Sequence, residues 1–147
     1  MKPDTIPTQR RTLGGLLRLA EEAMRSRVHG RMAQAGFPDI RPAHSSLFRN
    51  ISEEGSRVVE LAERAQMTKQ SMGYLAESLA TAGYVSLTPD PTDRRAKRVR
   101  LTEKGRAATE AMIRLSAETE QAFAGLIGEA DMARLRRLLE RLADRLD

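Results

Sequence analysis

The segment 67–101, MTKQSMGYLAESLATAGYVSLTPDPTDRRAKRVRL, changes the period of its apolar residues at Gly83. Before this glycine, apolar residues recur at three- and four-residue steps, which indicates an amphipathic helix. Thr68 is the predicted N-cap of that helix, because its hydroxyl can accept a hydrogen bond from a free amide of the first turn. The residues expected to face inward are Met72, Leu75, Leu79 and Ala82.

After Gly83, apolar and polar residues alternate, which indicates β-strands at residues 84–88 and 97–101. The polar stretch 89–96 between them contains Pro and Asp and is the predicted turn of a β-hairpin. The inward face of this hairpin is predicted to consist of Val85, Leu87, Val99 and Leu101, with Arg98 and Arg100 pointing outward.

A short helix is predicted just before this segment, at residues 58–65, and only Gln66 and Met67 separate it from Thr68. Two helices joined by a turn of three or four residues form a helix-turn-helix. The hairpin that follows makes the predicted unit a winged helix-turn-helix.

The flanking sequence has the apolar spacing of helices. Long helices are predicted at residues 12–35, 102–126 and 131–146, and a shorter one begins near Pro42. The last helix carries a stripe of leucines that a second copy of the chain is expected to cover. The stripe consists of Leu135, Leu138, Leu139, Leu142 and Leu146.

The predicted fold is therefore a single, mainly α domain. Its core is a winged helix-turn-helix lobe with a small β-hairpin wing, at residues 40–101. Long terminal dimerisation helices, at residues 12–35 and 102–147, flank this lobe.

The net charge of +5 is concentrated in one part of the chain. Residues 91–106 contain seven basic and two acidic side chains, whereas the remaining residues contain equal numbers of each. A local positive field of this kind attracts a polyanion. Nucleic acid is therefore the predicted class of partner.

The composition excludes several other classes of protein. No run approaches the roughly 18 apolar residues of a membrane span, and residues 1–11 are polar, without the apolar run of a signal peptide. A cytoplasmic location is therefore expected. The chain has no Cys for thiol chemistry or zinc, and its two His lie apart from any acidic cluster. No metal or cofactor is expected, and no catalytic grouping indicates an enzyme.

The helix after Thr68 has polar residues on the face opposite its apolar stripe. A recognition helix presents such a face to base edges in the major groove, where Gln can pair with adenine and Lys can donate to guanine or phosphate. A solvated surface helix is the alternative when this helix is considered alone. The candidate DNA-contacting residues are Thr68, Lys69, Gln70, Ser71, Gly73 and Tyr74.

The turn of the hairpin places Asp93 beside Arg94 and Arg95. One arginine is expected to pair with the carboxylate while the other reaches into the minor groove, where narrow A·T-rich segments attract Arg. The alternative is a hydrophilic turn of mixed charge. The candidate contacts of the wing are Asp93, Arg94, Arg95, Arg98 and Arg100.

Together these motifs resemble the MarR family of bacterial transcriptional regulators. The resemblance runs through ELA at 60–62, MTKQSM at 67–72 and LATAGYV at 79–85, and it is most specific at DPTDRRA (90–96) and LTEKG (101–105). Leu87 departs from the family, which often has Arg near this point.

The resemblance implies a homodimeric regulator, expected to be a repressor, that binds an inverted repeat in double-stranded DNA. Recognition helices would occupy successive major grooves and wings the flanking minor grooves. Arg94 would be the wing-tip arginine, with Asp93 and Arg95 positioning it. The first, fifth and sixth helices would form the dimer.

The resemblance also implies a small aromatic or phenolic effector bound between the dimer helices and the DNA-binding lobe. Candidate lining residues are Leu17 and Met24 on the first helix and His44 and Phe48 on the second. A lone His on an apolar stripe is more often a core residue whose hydrogen bonds are satisfied than a ligand contact, and that alternative stays open.

A winged helix can also act as an RNA- or protein-interaction module without ligand control. RNA readers typically expose aromatic side chains for stacking, whereas Tyr74 is the only aromatic residue on the predicted reading face. Duplex DNA is therefore the preferred partner.

Overall fold

The structure, a computed structural model, describes residues 11–146. The predicted lack of a signal peptide concerns residues that lie almost wholly outside this range. The described residues form a mainly α fold with a small antiparallel sheet, as the sequence predicted. The helices are α1 (Leu13–Met32), α2 (Ser45–Asn50), α3 (Val58–Arg64), α4 (Lys69–Thr81), α5 (Glu103–Ile127) and α6 (Glu129–Ala143), and the strands are β1 (Ser56–Arg57), β2 (Val85–Pro89) and β3 (Lys97–Leu101).

The chain divides into two compact units. One consists of residues 29–113 and contains α2–α4, all three strands, the end of α1 and the start of α5. We call it the winged lobe. The other contains the earlier part of α1, the later part of α5, and α6.

The sheet of the winged lobe has the order β1-β3-β2, with both pairings antiparallel. Val85 lies opposite Leu101 and Leu87 opposite Val99, so the hairpin has the predicted register. Strand β1 was not predicted. It has only two residues, too few for an alternating pattern, and pairs Ser56 with Val99.

The turn of the helix-turn-helix is residues 65–68. Gln66 adopts a left-handed conformation (φ 53°), and the N–H groups of Gln66 and Met67 donate to carbonyls of the last turn of α3. This is a Schellman ending, which normally uses Gly. The hydroxyl of Thr68 accepts a hydrogen bond from the backbone N–H of Ser71 at 3.1 Å, which confirms the predicted N-cap of α4.

The core of the winged lobe is built from the predicted inward faces. Met72, Leu75 and Leu79 of α4 are buried, and so are Val85 and Val99 of the hairpin. Further buried side chains include Ala76 of α4 and, from neighbouring segments, Met32, Leu47, Leu61 and Tyr84. Ala82, Leu87 and Leu101 are only half-buried.

The predicted helix ends are less accurate than the helices themselves. The second helix begins near Pro42 as predicted, but with a 3-10 turn over Pro42–His44, and its α-helical part, α2, starts only at Ser45. Helix α1 ends at Met32 rather than Ala35, because the chain turns before Gly36, whose φ is 99°.

In the second unit, Arg136 of α6 pairs with Glu120 of α5 at 2.7 Å, and Arg27 lies over the ring of Phe123 at 5.1 Å. The predicted leucine stripe is exposed in the single chain, because its five members keep 39–74% of their surface. Four of them lie on α6, whereas Leu146 lies beyond the end of this helix at Ala143. None of the helices within residues 11–146 combines the length and hydropathy that crossing a bilayer requires.

Candidate nucleic-acid interface

A groove of about 860 Å³ lies between the outer face of α4 and the wing. Both walls belong to the winged lobe. Its lining includes the cationic residues Arg57, Lys69, Arg95 and Lys97, together with Gln70, Gly73 and Tyr74. The structure therefore brings residues of the predicted recognition helix and of the predicted wing to one concave surface, on which these four cationic residues outnumber the acidic Glu77 and Asp93. The predicted wing contacts Arg94, Arg98 and Arg100 are not part of this lining.

The outer face of α4 carries most of the predicted contacts in exposed positions. Lys69, Gln70 and Tyr74 are exposed, and Tyr74 keeps 73% of its surface. A Cβ atom added to Gly73 would meet only a methyl group of Val58, at 4.0 Å. The fold therefore does not require glycine at this position.

Thr68 and Ser71 have a second role besides any contact with DNA. The hydroxyl of Thr68 donates to that of Ser71 at 2.8 Å and accepts from the backbone N–H of Ser71. The two side chains together fix the first turn of α4, the turn that also carries Lys69 and Gln70.

The tip of the wing exposes Asp93, Arg94 and Arg95. The expected ion pair between Asp93 and a neighbouring arginine is not formed. Asp93 instead accepts a hydrogen bond from the backbone N–H of Arg95 at 3.0 Å. This contact shapes the turn and leaves both arginine side chains at the surface.

Asp90, at the base of the wing, is the carboxylate that pairs with arginine. It is 1% exposed and accepts hydrogen bonds from Arg57 through Nε (2.9 Å) and Nη2 (3.2 Å). It also accepts from the backbone N–H of Thr92 (2.8 Å) and from its hydroxyl (2.6 Å). These donors, the Arg57 guanidinium first, hold the pKa of Asp90 well below its ordinary value.

Sequence reasoning missed both members of this pair. Arg57 and Asp90 are 33 residues apart, and no local pattern joins them. One signal was available in the sequence. Arg57 directly precedes the apolar stripe of α3, and a charged side chain next to a buried surface is expected to have a partner of opposite charge.

Arg98, which was predicted to point outward, is half-buried and held by contacts within the lobe. Its side chain is 26% exposed, its Nε lies 3.4 Å from Asp90 Oδ2, and its Nη1 donates to the carbonyl oxygen of Gly55 at 3.2 Å. Arg100 is exposed as predicted, but its Nε donates to the carbonyl oxygen of Glu54 at 3.3 Å. Both arginines therefore join β3 to the segment before β1.

Across the groove, Lys97 of β3 lies 3.5 Å from Glu77 of α4. Both side chains are largely exposed, so the pair contributes little to stability. It places a carboxylate and an ammonium group at the edge of the reading face of α4.

The candidate effector residues lie in different units. Leu17 and Met24 belong to the unit that contains α6, whereas His44 and Phe48 are buried in the winged lobe. His44 Nδ1 accepts from the backbone N–H of Arg41 at 3.0 Å, and its Nε2 lies 3.3 Å from the hydroxyl of Ser78. Burial, and next the charge of Arg41, lower the pKa of His44. The effector pocket stays a prediction.

Comparison with known proteins shows which family this chain is similar to. Residues 39–96, which include α2–α4, β1, β2 and the wing turn, match the sequence profile of the MarR family. A stretch of 94 residues is 31% identical to the exopolysaccharide II synthesis transcriptional activator ExpG of Rhizobium meliloti (strain 1021). That stretch covers 62% of this chain and 48%, about half, of the length of ExpG.

Solved structures share the fold over almost the whole chain. The transcriptional regulator PA4135 is 26% identical, with a TM-score of 0.69, and the match covers 92% of this chain and 98% of that one. Wild-type MarR from E. coli in its apo form is 22% identical, with a TM-score of 0.76 over 95% and 98% of the two chains.

Proposed function

We propose that this chain is a MarR-family transcriptional regulator that binds double-stranded DNA sequence-specifically, and the match of residues 39–96 to the family profile supports the family. The groove between the exposed face of α4 and the cationic wing is the observation that carries this proposal. MarR-family regulators are DNA-binding proteins rather than enzymes, and we assign the chain no catalytic role.

In the proposed complex, α4 enters the major groove and the wing follows the adjacent minor groove. The first turn of α4 presents Lys69 and Gln70, which can contact phosphate and base edges. The tip of the wing presents Arg94 and Arg95, whose side chains are exposed and not held by an ion pair within residues 11–146. The exposed residues of the two elements therefore support base recognition by α4 and minor-groove contact by the wing.

We further propose that two copies bind together to an inverted repeat. The exposed leucine stripe of α6 supports this, since a contiguous apolar surface of this kind normally lies at an interface. A two-fold dimer presents two recognition helices about one helical turn of DNA apart.

The direction of regulation depends on where the repeat lies. A dimer that covers the promoter blocks polymerase and represses, whereas a dimer bound upstream is able to activate. Repression is the proposal that the family resemblance favours, and the related protein ExpG is named an activator. A reporter driven by the bound promoter, measured with and without the protein, distinguishes the two.

An aromatic or phenolic effector that releases the DNA is the remaining element of the proposal. It rests on the family resemblance. Adding such compounds to the DNA complex should lower its affinity.

The DNA-binding proposal is tested by selecting duplexes from a random pool with the full chain. We expect the recovered sequences to share two inverted half-sites whose centres are about 10 base pairs apart. Recovery of sequence-independent duplexes, or of no duplex, would contradict sequence-specific recognition. Recovery of single half-sites would contradict dimeric binding alone.

Replacing Arg94 and Gln70 separately with Ala should separate the two contact types. Arg94→Ala is expected to weaken binding to selected and random duplexes alike and to lower the salt dependence by about one phosphate for each wing, because a minor-groove cation is lost. Gln70→Ala is expected to relax preference at one base position, at about 1–3 kcal/mol, because a bidentate base contact is lost. Affinity measured over a series of salt concentrations checks both.

The control for these variants is Arg49→Ala, since Arg49 is exposed on α2 and belongs neither to the wing nor to the first turn of α4. It removes the same charge as Arg94→Ala and should change affinity little. Equal losses from Arg49→Ala and Arg94→Ala would show that net charge, rather than the wing tip, determines binding.

A further inference from the structure

The carboxylate of Asp90 joins three segments of the winged lobe. Arg57, the last residue of β1, donates to both of its oxygens, and Arg98 of β3 lies 3.4 Å from one of them. Asp90 itself directly follows β2. A single buried side chain therefore connects the entrance of the helix-turn-helix with the base of the wing.

Arg57 is fixed at both its side chain and its backbone. Its backbone N–H donates to Glu60 Oε2 at 3.0 Å, which anchors it at the start of α3. Its Nη2 donates to the hydroxyl of Thr92 at 2.5 Å as well as to Asp90. Any displacement of the wing turn relative to α3 would break these bonds.

Asp90 also sets the conformation of the turn that carries the wing arginines. Its Oδ1 accepts from the backbone N–H groups of Thr92 (2.8 Å) and Asp93 (3.3 Å). Arg94 follows directly. The position of the Arg94 backbone is therefore linked through Asp90 to Arg57, although the side chains of Arg57 and Arg94 share no contact among those of the described residues.

We propose that Arg57 and Asp90 form a latch that positions the wing arginines for DNA, and that Arg57 is a positioning residue rather than a DNA contact. This inference rests on the proposed function. Arg57 lines the groove, so a direct contact with phosphate is the competing role. Its guanidinium, however, is occupied by Asp90 and Thr92.

The substitution Asp90→Asn separates the two roles by the sign of its effect. It adds one positive charge to the lobe and releases Arg57, so a direct phosphate contact by Arg57 predicts tighter DNA binding. The latch predicts weaker binding, because the turn that carries Arg94 is no longer held. We expect the affinity of Asp90→Asn for a duplex selected by the wild-type chain to fall about tenfold.

The matched control is Glu53→Gln, which removes one negative charge from an exposed residue in the segment before β1. It should leave the affinity unchanged or raise it slightly. The proposal is overturned if Asp90→Asn binds the duplex as tightly as the wild type, or more tightly. If the wild-type chain selects no duplex, the proposed function fails instead.

A double-mutant cycle with Arg94→Ala tests whether the latch acts through the wing tip. Once Arg94 is absent, Asp90→Asn should cause little further loss of affinity. Additive losses would show that Asp90 acts elsewhere in the lobe and would overturn the positioning role.

Thr92→Val is the alternative test if the Asp90→Asn variant does not fold. It keeps every charge and removes only the hydroxyl shared by Arg57 and Asp90. Affinity should fall about threefold with Arg94 present and not at all in the Arg94→Ala background. An unchanged affinity with Arg94 present would contradict the latch.

Discussion

Replacing Leu139 with Glu is expected to convert the protein to a monomer at micromolar concentration and to weaken its binding to an inverted repeat by at least about 100-fold. A carboxylate in the leucine stripe cannot be buried at an interface without a large desolvation cost. A monomer binds only one half-site. Because linking two such contacts typically strengthens binding by factors of about 10²–10⁴, the monomer loses this gain. Sedimentation and DNA titration measure the two effects.

The fold of the single chain should not change, because Leu139 is 39% exposed in it and exposed substitutions usually alter stability by less than about 0.5 kcal/mol. Ala133→Glu is the matched control. It places the same side chain in an exposed position on the opposite side of α6. If Leu139→Glu remained a dimer, or if Ala133→Glu dissociated as readily, α6 would not form the interface through its leucines.

Replacing Gly105 with Ala is expected to cost about 3 kcal/mol of unfolding free energy or more. A Cβ atom at this position would overlap the main-chain carbonyl oxygen of Tyr84 and lie 3.1 Å from a methyl group of Leu101. Overpacking of this kind usually costs about 1–3 kcal/mol, and a backbone oxygen cannot rotate away. Chemical denaturation of the purified variant gives the change directly.

Gly125→Ala is its control on the same helix. A Cβ atom at Gly125 would meet nothing within 4 Å, and Ala is favoured over Gly in a helix by up to about 1 kcal/mol. The two substitutions should therefore change stability in opposite directions. A loss at Gly125 equal to that at Gly105 would mean that the contact with Tyr84 does not set the cost.

The parts of the fold that the sequence predicted are those with a local signal. Helix α4 was predicted because its apolar residues repeat over 13 positions. Helix α5 has a local start signal as well, since the hydroxyl of Thr102 accepts from the backbone N–H of Gly105 at 3.1 Å. Strand β1 has two residues, and its pairing with β3 depends on chain far from it.

The candidate site shows the same limit. Alternation placed Arg98 and Arg100 on one face of β3, but it could not show that Gly55 and Glu54 supply carbonyl oxygens to that face. Adjacency suggested Asp93 as the partner of an arginine. The actual pairing uses Asp90, because the sheet order brings Arg57 to the base of the wing, a contact that only the assembled lobe creates.

The bond between Arg57 and Asp90 has a consequence for how this chain can change over generations. Losing either partner alone leaves the other charge without an ion-pair partner, which destabilises the fold far more than replacing both residues together. The two positions, 33 residues apart, should therefore be inherited as a pair. A lineage that loses the carboxylate is expected to lose the arginine soon after, while Arg94 remains under selection by the DNA.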